Sequence, residues 1–554
     1  MLVWGFSPVL LAQNKQISGT VTDEKGTPLP GVSVQIKSTT RGVATDFEGN
    51  FSISLPLGAS VKISYIGYLT QEVKASASFV KVTLKEDLQN LDEVVLIGYQ
   101  TVRKADLTGA VSVFKPELMK NTVITGTVGD ALSTVPGLFV RSSGNPGAEG
   151  VVQIRGTATF GNSTPLYVID GIAVGTANRD FNYNDIESIQ VLKDASSAAI
   201  YGSRAANGVV LITTKQGKRN EPKISVNTYV GISQVAKRIE SLNTAQYKEL
   251  MDETGAVTLP SGLTDKTDWF DETFRKSLIR NTQLSISNAT ENTKYYLSAG
   301  TSKDEGVIRS SYFERYNLRL NLETKMRKWL TFETNLSYAD YSSNGIITGT
   351  GSNRAGVVLS VINTPKYAPI WSDKPGEEGW YYYNFYGANL THPVENISRN
   401  ADNTSKSNRL VGSVSAIVTF LPSLKFKSTV GIDRLGRTQT HWTDPKLTEY
   451  GRKIFGTADD IRTNNTVMTY DNLLTFDKSF GKHNLSALAG TSGTVSKWNE
   501  SYLYASHFLT PDIKTLNAAN KIEQGSGSSA AEWAIMSYLG RISYNYDSKY
   551  LLTA

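Results

Sequence analysis

Four carboxylates lie close together near the middle of this chain, Asp170, Asp185, Glu187 and Asp194, and paired carboxylates can serve general acid–base catalysis. Each has a local explanation instead. Asp170 precedes Gly171 in a tight turn, Asn184 or Asp185 can cap a short helical turn, and acidic residues favour such positions for their backbone hydrogen bonds. The four histidines, His392, His441, His483 and His507, are scattered. There is no GxSxG elbow and no HExxH pair, and no GK[ST] completes the glycines near Gly202 into a phosphate loop. The 554 residues include no cysteine, which removes disulfides, thiolate metal sites and a cysteine nucleophile together. Asp46 and Glu48 beside Gly49 read as turn formers rather than cation ligands. The chemistry-bearing residues therefore point to no enzyme, no metal and no cofactor.

The stretch from Pro165 to Lys215 is the most informative. Leu166 to Ile169 is a short apolar run, and Asp170-Gly171 supplies the positive-φ residues of a hairpin turn. Residues 189–192 form a second buried strand, residues 195–201 suit one or two helical turns stopped by Gly202, and Asn207-Gly208 turns the chain into an apolar strand at 209–213. Upstream, residues 128–135 predict a helix stopped by Pro136-Gly137, followed by a strand at 151–155. The whole reads as a compact mixed α/β domain.

Residues 16–85 alternate strictly in several short runs, including Val32, Val34 and Ile36, then Phe51, Ile53 and Leu55, then Val61, Ile63 and Tyr65. Turn clusters separate them, which predicts a small β-sandwich of about seven strands. From Lys223 onward the alternation lengthens. Tyr316, Leu318, Leu320 and Leu322 face one way, while Arg315, Asn317, Arg319, Asn321 and Glu323 face the other. Leu330, Phe332, Leu336 and Tyr338 repeat the pattern against Thr331, Glu333, Asn335 and Ser337. One face suits lipid and the other water. Short turns alternate with long loops, expected at about 340–406, 434–462 and 496–531, which is the asymmetry of a transmembrane β-barrel. About ten strands precede Ala554. No run of about 18 apolar residues predicts a spanning helix, a test that β-barrels evade. The net charge of +6 arises from 57 basic and 51 acidic residues without a block of one sign, which argues against nucleic-acid binding.

PLYVIDGI, DIESIQVLKDASSAAIYGSRAANGVVLITTK and the upstream VVQIRG resemble the plug motifs of TonB-linked outer-membrane transporters, in particular the SusC/RagA family. GTVTDEKGTPLPGVSVQIKSTTRGVATDFEGNFSI resembles the carboxypeptidase-regulatory-like domain at the N-terminus of many SusC-like proteins. The fold class is thus mainly β: an N-terminal sandwich at 13–88, a linker at 89–105, an α/β plug at 106–217, and part of an antiparallel transmembrane barrel at 218–554. Residues 1–12, MLVWGFSPVLLA, resemble the apolar part of a secretory signal with its basic start missing. The resembling family closes its barrel with about 22 strands. Since unpaired backbone in hydrocarbon is costly, a longer parent chain is expected.

The resemblance implies further roles. Asp92, Glu93, Val94, Val95, Leu96, Ile97, Gly98 and Tyr99 look like the TonB box, with Leu96-Ile97 where the family often has Val-Thr. No strand partner for it lies close by in sequence, and an unpaired strand can add to another protein's sheet. Plug arginines in such transporters typically pair with barrel carboxylates, so Arg155 and Arg204 are the expected latches. Trp371, Trp380, Tyr381, Tyr382, Tyr383, Phe385 and Tyr386 form an aromatic loop whose faces could stack on sugar rings, or simply pack the loop. The implied function is active import of a large oligosaccharide or peptide across the bacterial outer membrane. The implied partners are the energy-coupling protein TonB, facing a periplasmic N-terminal domain, and a SusD-like surface lipoprotein. A siderophore or cobalamin receptor, and a non-transporting adhesin or glycan-binding protein, are the alternatives.

Overall fold

The structure is a computed structural model. It describes residues 14–554 apart from 24–25, 38, 40, 57–58, 66–67, 69, 75–78, 86–93, 98–99, 104–110, 116–127, 134, 136, 142–143, 149, 158, 160, 176–178, 195–197, 220, 347–355, 388–389 and 391. The apolar segment 1–12 lies outside the described residues. The chain forms two compact units, Met1–Leu107 and Thr108–Ala554.

In the first unit, strict alternation gives each strand one apolar face. Asn14–Thr22 lies between Asn50–Pro56 and Phe79–Thr83, while Ser33–Ile36 and Ser60–Ser64 form the centre of a four-stranded sheet flanked by Gly42–Ala44 and Gln71–Lys74. The apolar faces meet in one core containing Ile17, Val34, Phe51, Ile53, Val61 and Ile63. This is the expected seven-stranded sandwich. Asp46 is a turn former, its Oδ1 accepting from the backbone N–H groups of Glu48 (3.1 Å) and Asn50 (2.7 Å).

The second unit begins with the plug. Its five-stranded sheet runs in the order Val111–Phe114, Ile186–Leu192, Val209–Thr214, Leu166–Ile169, Ile172–Val174. Asp170 (φ 47°) and Gly171 (φ 89°) make the hairpin turn that their sequence requires. Val128, Leu132, Tyr167, Ile189 and Ile212 belong to the plug core. The helix spans Val128–Leu132, shorter than the expected 128–135. Gly202 (φ 66°) breaks the short helical segment Ala199–Ala205 from within.

A 12-stranded antiparallel sheet follows, from Lys223–Ser233 to Tyr550–Thr553. Among the described residues these two edge strands do not pair with each other. The burial of its strands is inverted relative to a water-soluble sheet. On Tyr312–Arg327, Arg315, Asn317, Arg319 and Asn321 are buried, whereas Tyr316 and Leu318 are more than half exposed. Neighbouring strands expose Leu284, Phe332, Leu336, Val414, Val430 and Met468 and bury Gln283, Ser298, Ser415, Thr429 and Thr469. Burying amides, hydroxyls and guanidinium groups beneath leucines is unfavourable in water, so the apolar face must meet a medium that is not water.

Tight connections at 290–292, 328–329, 422–423, 481–482 and 547–549 join the strands at one end. At the other end, 234–276, 345–403, 444–456 and 509–526 are long, and 306–311 is shorter. Two expected loops, 434–462 and 496–531, are therefore too generous. The reason lies in Leu424–Thr443, Thr457–Phe480 and His483–Phe508, of 20, 24 and 26 residues. A strand of 24 residues is about 80 Å long, whereas about 10 residues cross hydrocarbon. Beyond the apolar band both faces meet water, so alternation fades while the hydrogen-bonded ladder continues.

Candidate functional site

The plug is held by a row of polar side chains on the inner face of the wall. Arg315, Asn317, Arg319 and Asn321 are two residues apart on one strand, so all four project toward the plug. Arg315 Nη1 donates to the carbonyls of Arg179 (2.9 Å) and Phe181 (3.0 Å). Asn182 Nδ2 donates to Asn317 Oδ1 at 3.3 Å. Arg319 pairs with Asp170, donates to Thr214 Oγ1 at 2.8 Å, and lies 5.0 Å from the centre of the Phe181 ring. Asn321 Nδ2 reaches Thr214 Oγ1 (2.8 Å) and the Lys215 carbonyl (2.7 Å).

Asp170 is the plug's half of this clamp. The hairpin turn that places it also lets its carboxylate accept from Thr214 N–H at 3.0 Å and Thr214 Oγ1 at 2.8 Å. A second clamp is built differently. On strand Thr404–Leu421, Arg409 grips the wall's own Asp433 with Nε (2.8 Å) and Nη2 (2.7 Å), and turns Nη1 to Asp180 of the plug. A third involves no cation: Asp185 accepts from Tyr296 Oη (2.9 Å), Ser298 Oγ (2.7 Å) and Gln283 Nε2. Asp170 and Asp180 make their ion pairs in buried surroundings, where losing one partner typically costs about 3–5 kcal/mol although the intact pair contributes little net stability. The wall also makes room. A Cβ on Gly431 would lie 2.4 Å from Cδ1 of the plug's Ile172.

The anticipated latch has the opposite polarity. Arg155 pairs at 2.8 Å with Asp194, a plug residue, and its side chain is 56% exposed. Such an exposed pair is worth little. Arg204, half-buried in the Ala199–Ala205 segment, makes no ion pair with the wall among the described residues. The plug supplies carboxylates and the wall supplies arginines. Of the four carboxylates considered for catalysis, Asp170 and Asp185 are thus separate clamps, Asp194 partners Arg155, and Glu187 lies half-buried on Ile186–Leu192. They form no paired site. The signal for the true clamp was present in the Arg-x-Asn-x-Arg-x-Asn face of 315–321, which is more strongly hydrogen-bonding than a face that merely meets water requires.

The long connections carry a core of their own. Tyr382 and Phe385 pack with Trp269, Val357, Tyr367 and Ile397, while Tyr381 is buried between the stacked ring of Trp371 (centroids 4.6 Å apart) and His392. Trp380 lies under Arg452 at 3.8 Å, and Tyr383 and Tyr386 are partly buried. Of the seven aromatics proposed for ligand stacking, Tyr381, Tyr382 and Phe385 are therefore loop packing. Trp371, 48% exposed, is the most open of the group. His392 caps the helix Pro393–Ala401 by accepting the Glu395 N–H at Nδ1 (3.1 Å), and burial pushes its pKa down to about 4.

Val94–Ile97 is a strand, as the TonB-box reading requires, but it is not unpartnered. It pairs antiparallel with Gln100–Arg103, Val94 opposite Arg103 and Ile97 opposite Gln100. That partner follows two residues later in the sequence, where the sequence reading expected none. Asp92, Glu93, Gly98 and Tyr99 lie outside the described residues.

An inverted antiparallel sheet whose polar face grips an α/β plug defines a TonB-dependent receptor fold. Residues 103–209 match the family described as TonB-dependent Receptor Plug Domain, and residues 17–96 match CarboxypepD_reg-like domain. The chain belongs to the SusC-like TonB-dependent receptors. It is 33% identical over 557 residues to TonB-dependent receptor P3 of Formosa agariphila, covering 98% of this chain and 54% of that protein. It is 31% identical over 573 residues to TonB-dependent receptor SusC of Bacteroides thetaiotaomicron, covering 98% and 56%. The chain spans about half the length of the curated relatives it matches. Among solved structures, the RagAB peptide importer in its open-open state superposes with a TM-score of 0.69 at 26% identity, over 82% of this chain and 55% of that one. The ferric citrate transporter FecA shares the fold at 13% identity and a TM-score of 0.53.

Proposed function

We propose that this protein imports a large nutrient, an oligosaccharide or a peptide, across the bacterial outer membrane, with energy delivered mechanically by TonB. The observation that carries this reading is the plug fastened to the polar inner face of a membrane-type sheet by buried, specific clamps. A plug so held passes nothing by diffusion, and the polar cost of releasing it demands work from outside. The sandwich (13–88), the linker with its TonB box (89–105) and the short-turn end of the barrel face the periplasm. The long connections face outward, where a SusD-like lipoprotein caps them and Trp371 is available to a ligand. TonB adds a strand to Val94–Ile97, drawing affinity from main-chain hydrogen bonds. No step of this function is enzymatic.

The test is growth of a strain lacking the gene on polysaccharides or protein digests as sole carbon source. The intact gene restores growth, and a gene lacking residues 92–99 yields equal outer-membrane protein without restoring it. Growth restored by that deletion overturns the TonB-box assignment. Restoration seen only under iron or cobalamin limitation favours the siderophore or cobalamin reading, and surface binding of glycan without any growth phenotype favours an adhesin.

A further inference from the structure

Arg319 is 2% exposed at its side chain, and its one ion pair among the described residues is with Asp170 of the plug. Among the described residues its Nε and Nη1 have no hydrogen-bond partner. Arg409 differs, because the wall itself supplies Asp433 as a counter-ion at 2.7 Å. When the plug withdraws, Arg409 stays neutralised and Arg319 does not. Arg315, four residues away on the same face, is held by two plug carbonyls and loses those too. Toward the short-turn end Lys294 and Lys427 are neutralised by the wall's own Glu323 (2.8 Å) and Glu333 (2.6 Å), and Lys325 and Lys425 line a cavity of about 780 Å³ together with Glu291, Glu323 and Glu333. Inner-face positions of Thr457–Phe480 carry Asp459, Asp471 and Asp477.

The geometry points to Arg319 as a specificity-determining residue: it reads an anionic group of the transported solute, a carboxylate or sulfate, in the place that Asp170 vacates. This inference rests on the transport reading and narrows its substrate class. A guanidinium binds a carboxylate through two parallel hydrogen bonds from one edge, and Nη2, once Asp170 leaves it, completes such an edge with the unused Nε. The solute's charge then offsets the cost of stranding a cation, so an acidic oligosaccharide or an acidic peptide passes where a neutral one of equal size gains nothing. The plug's Asp170 acts as the resident counter-ion until that exchange.

The experiment uses the native protein from the outer-membrane fraction, reconstituted in planar bilayers. Residues 1–554 contain no cysteine, so Ser188→Cys provides a labelling site in the plug, and its reaction is read on the peptide that contains residue 188. Urea is raised to the concentration at which this site reacts with a maleimide, so that the plug is known to have left its seat. Triglutamate, maltotriose and trilysine are then compared as blockers of the ionic current. Triglutamate is expected to block at concentrations about tenfold lower than maltotriose. Arg319→Gln is expected to abolish that advantage, and Arg319→Lys, which keeps the charge, to restore most of it. Equal block by triglutamate and maltotriose, stronger block by trilysine, or block by triglutamate unchanged in Arg319→Gln overturns the assignment. A labelled plug without any current is a different failure, since it removes the transport reading and this inference with it.

Discussion

Asp170→Asn tests the clamp where its two designs diverge. Asparagine keeps the size of the side chain and tolerates the positive φ of 47° at this turn, so the hairpin survives and only the charge is lost. Arg319 is then a buried guanidinium without a carboxylate, a defect worth about 3–5 kcal/mol. Asp180→Asn is milder, because Asp433 still holds Arg409 by two nitrogens. Its cost is that of one charge-assisted hydrogen bond, about 1.5–3 kcal/mol. Converted at about 1.4 kcal/mol per decade, detachment of the plug becomes roughly 150- to 5,000-fold more frequent in the first variant and roughly 10- to 150-fold in the second. Hydrogen exchange of the peptide containing Val209–Thr214 reads this directly, since the Thr214 N–H donates to Asp170. Removing both charges, Asp170→Asn with Arg319→Gln, should recover most of the protection. The reasoning is refuted if Asp170→Asn exchanges no faster than Asp180→Asn, or if the double variant is as unprotected as Asp170→Asn alone.

Three further outcomes follow from the same structure. His392 has its pKa lowered to about 4 by burial, against about 6.5 unfolded, so the neutral ring contributes up to about 3 kcal/mol that is fully present above pH 6.5 and lost as pH falls toward 4; proteolysis of the 345–403 connection should accelerate over that window, and in His392→Asn it should not. Leu318→Arg should lower stability in lipid by about 2–4 kcal/mol if the position lies near the bilayer midplane, as read from the urea midpoint, whereas in a water-soluble sheet a residue 55% exposed would shift it by about 0.5 or less. Gly217→Ala should cost on the order of 3 kcal/mol, because a Cβ there would sit 1.9 Å from the Asn288 carbonyl oxygen of the wall; Gly481→Ala, at φ 60° in open space, should cost about 1 kcal/mol in the same measurement.

What the amino-acid sequence determined by itself was local and periodic. Period-two alternation is a property of the backbone, so Tyr316, Leu318, Arg315 and Arg319 could be sorted to opposite faces before any partner strand was known. The Asp170-Gly171 turn, the sandwich strands and the alternation of tight and long connections were legible for the same reason. What only the tertiary structure decided was pairing over distance. Arg319 meets Asp170 across 149 positions and Arg409 meets Asp180 across 229, and no short-range pattern selects those partners from the 57 basic and 51 acidic residues available. Reasoning from residue type alone therefore gave the latch to Arg155 and Arg204, and offered Tyr381, Tyr382 and Phe385 to a ligand when a loop core had already claimed them. Alternation assigns each residue to a face, but the docking of the plug, a long-range event, chooses which residue on that face meets which charge.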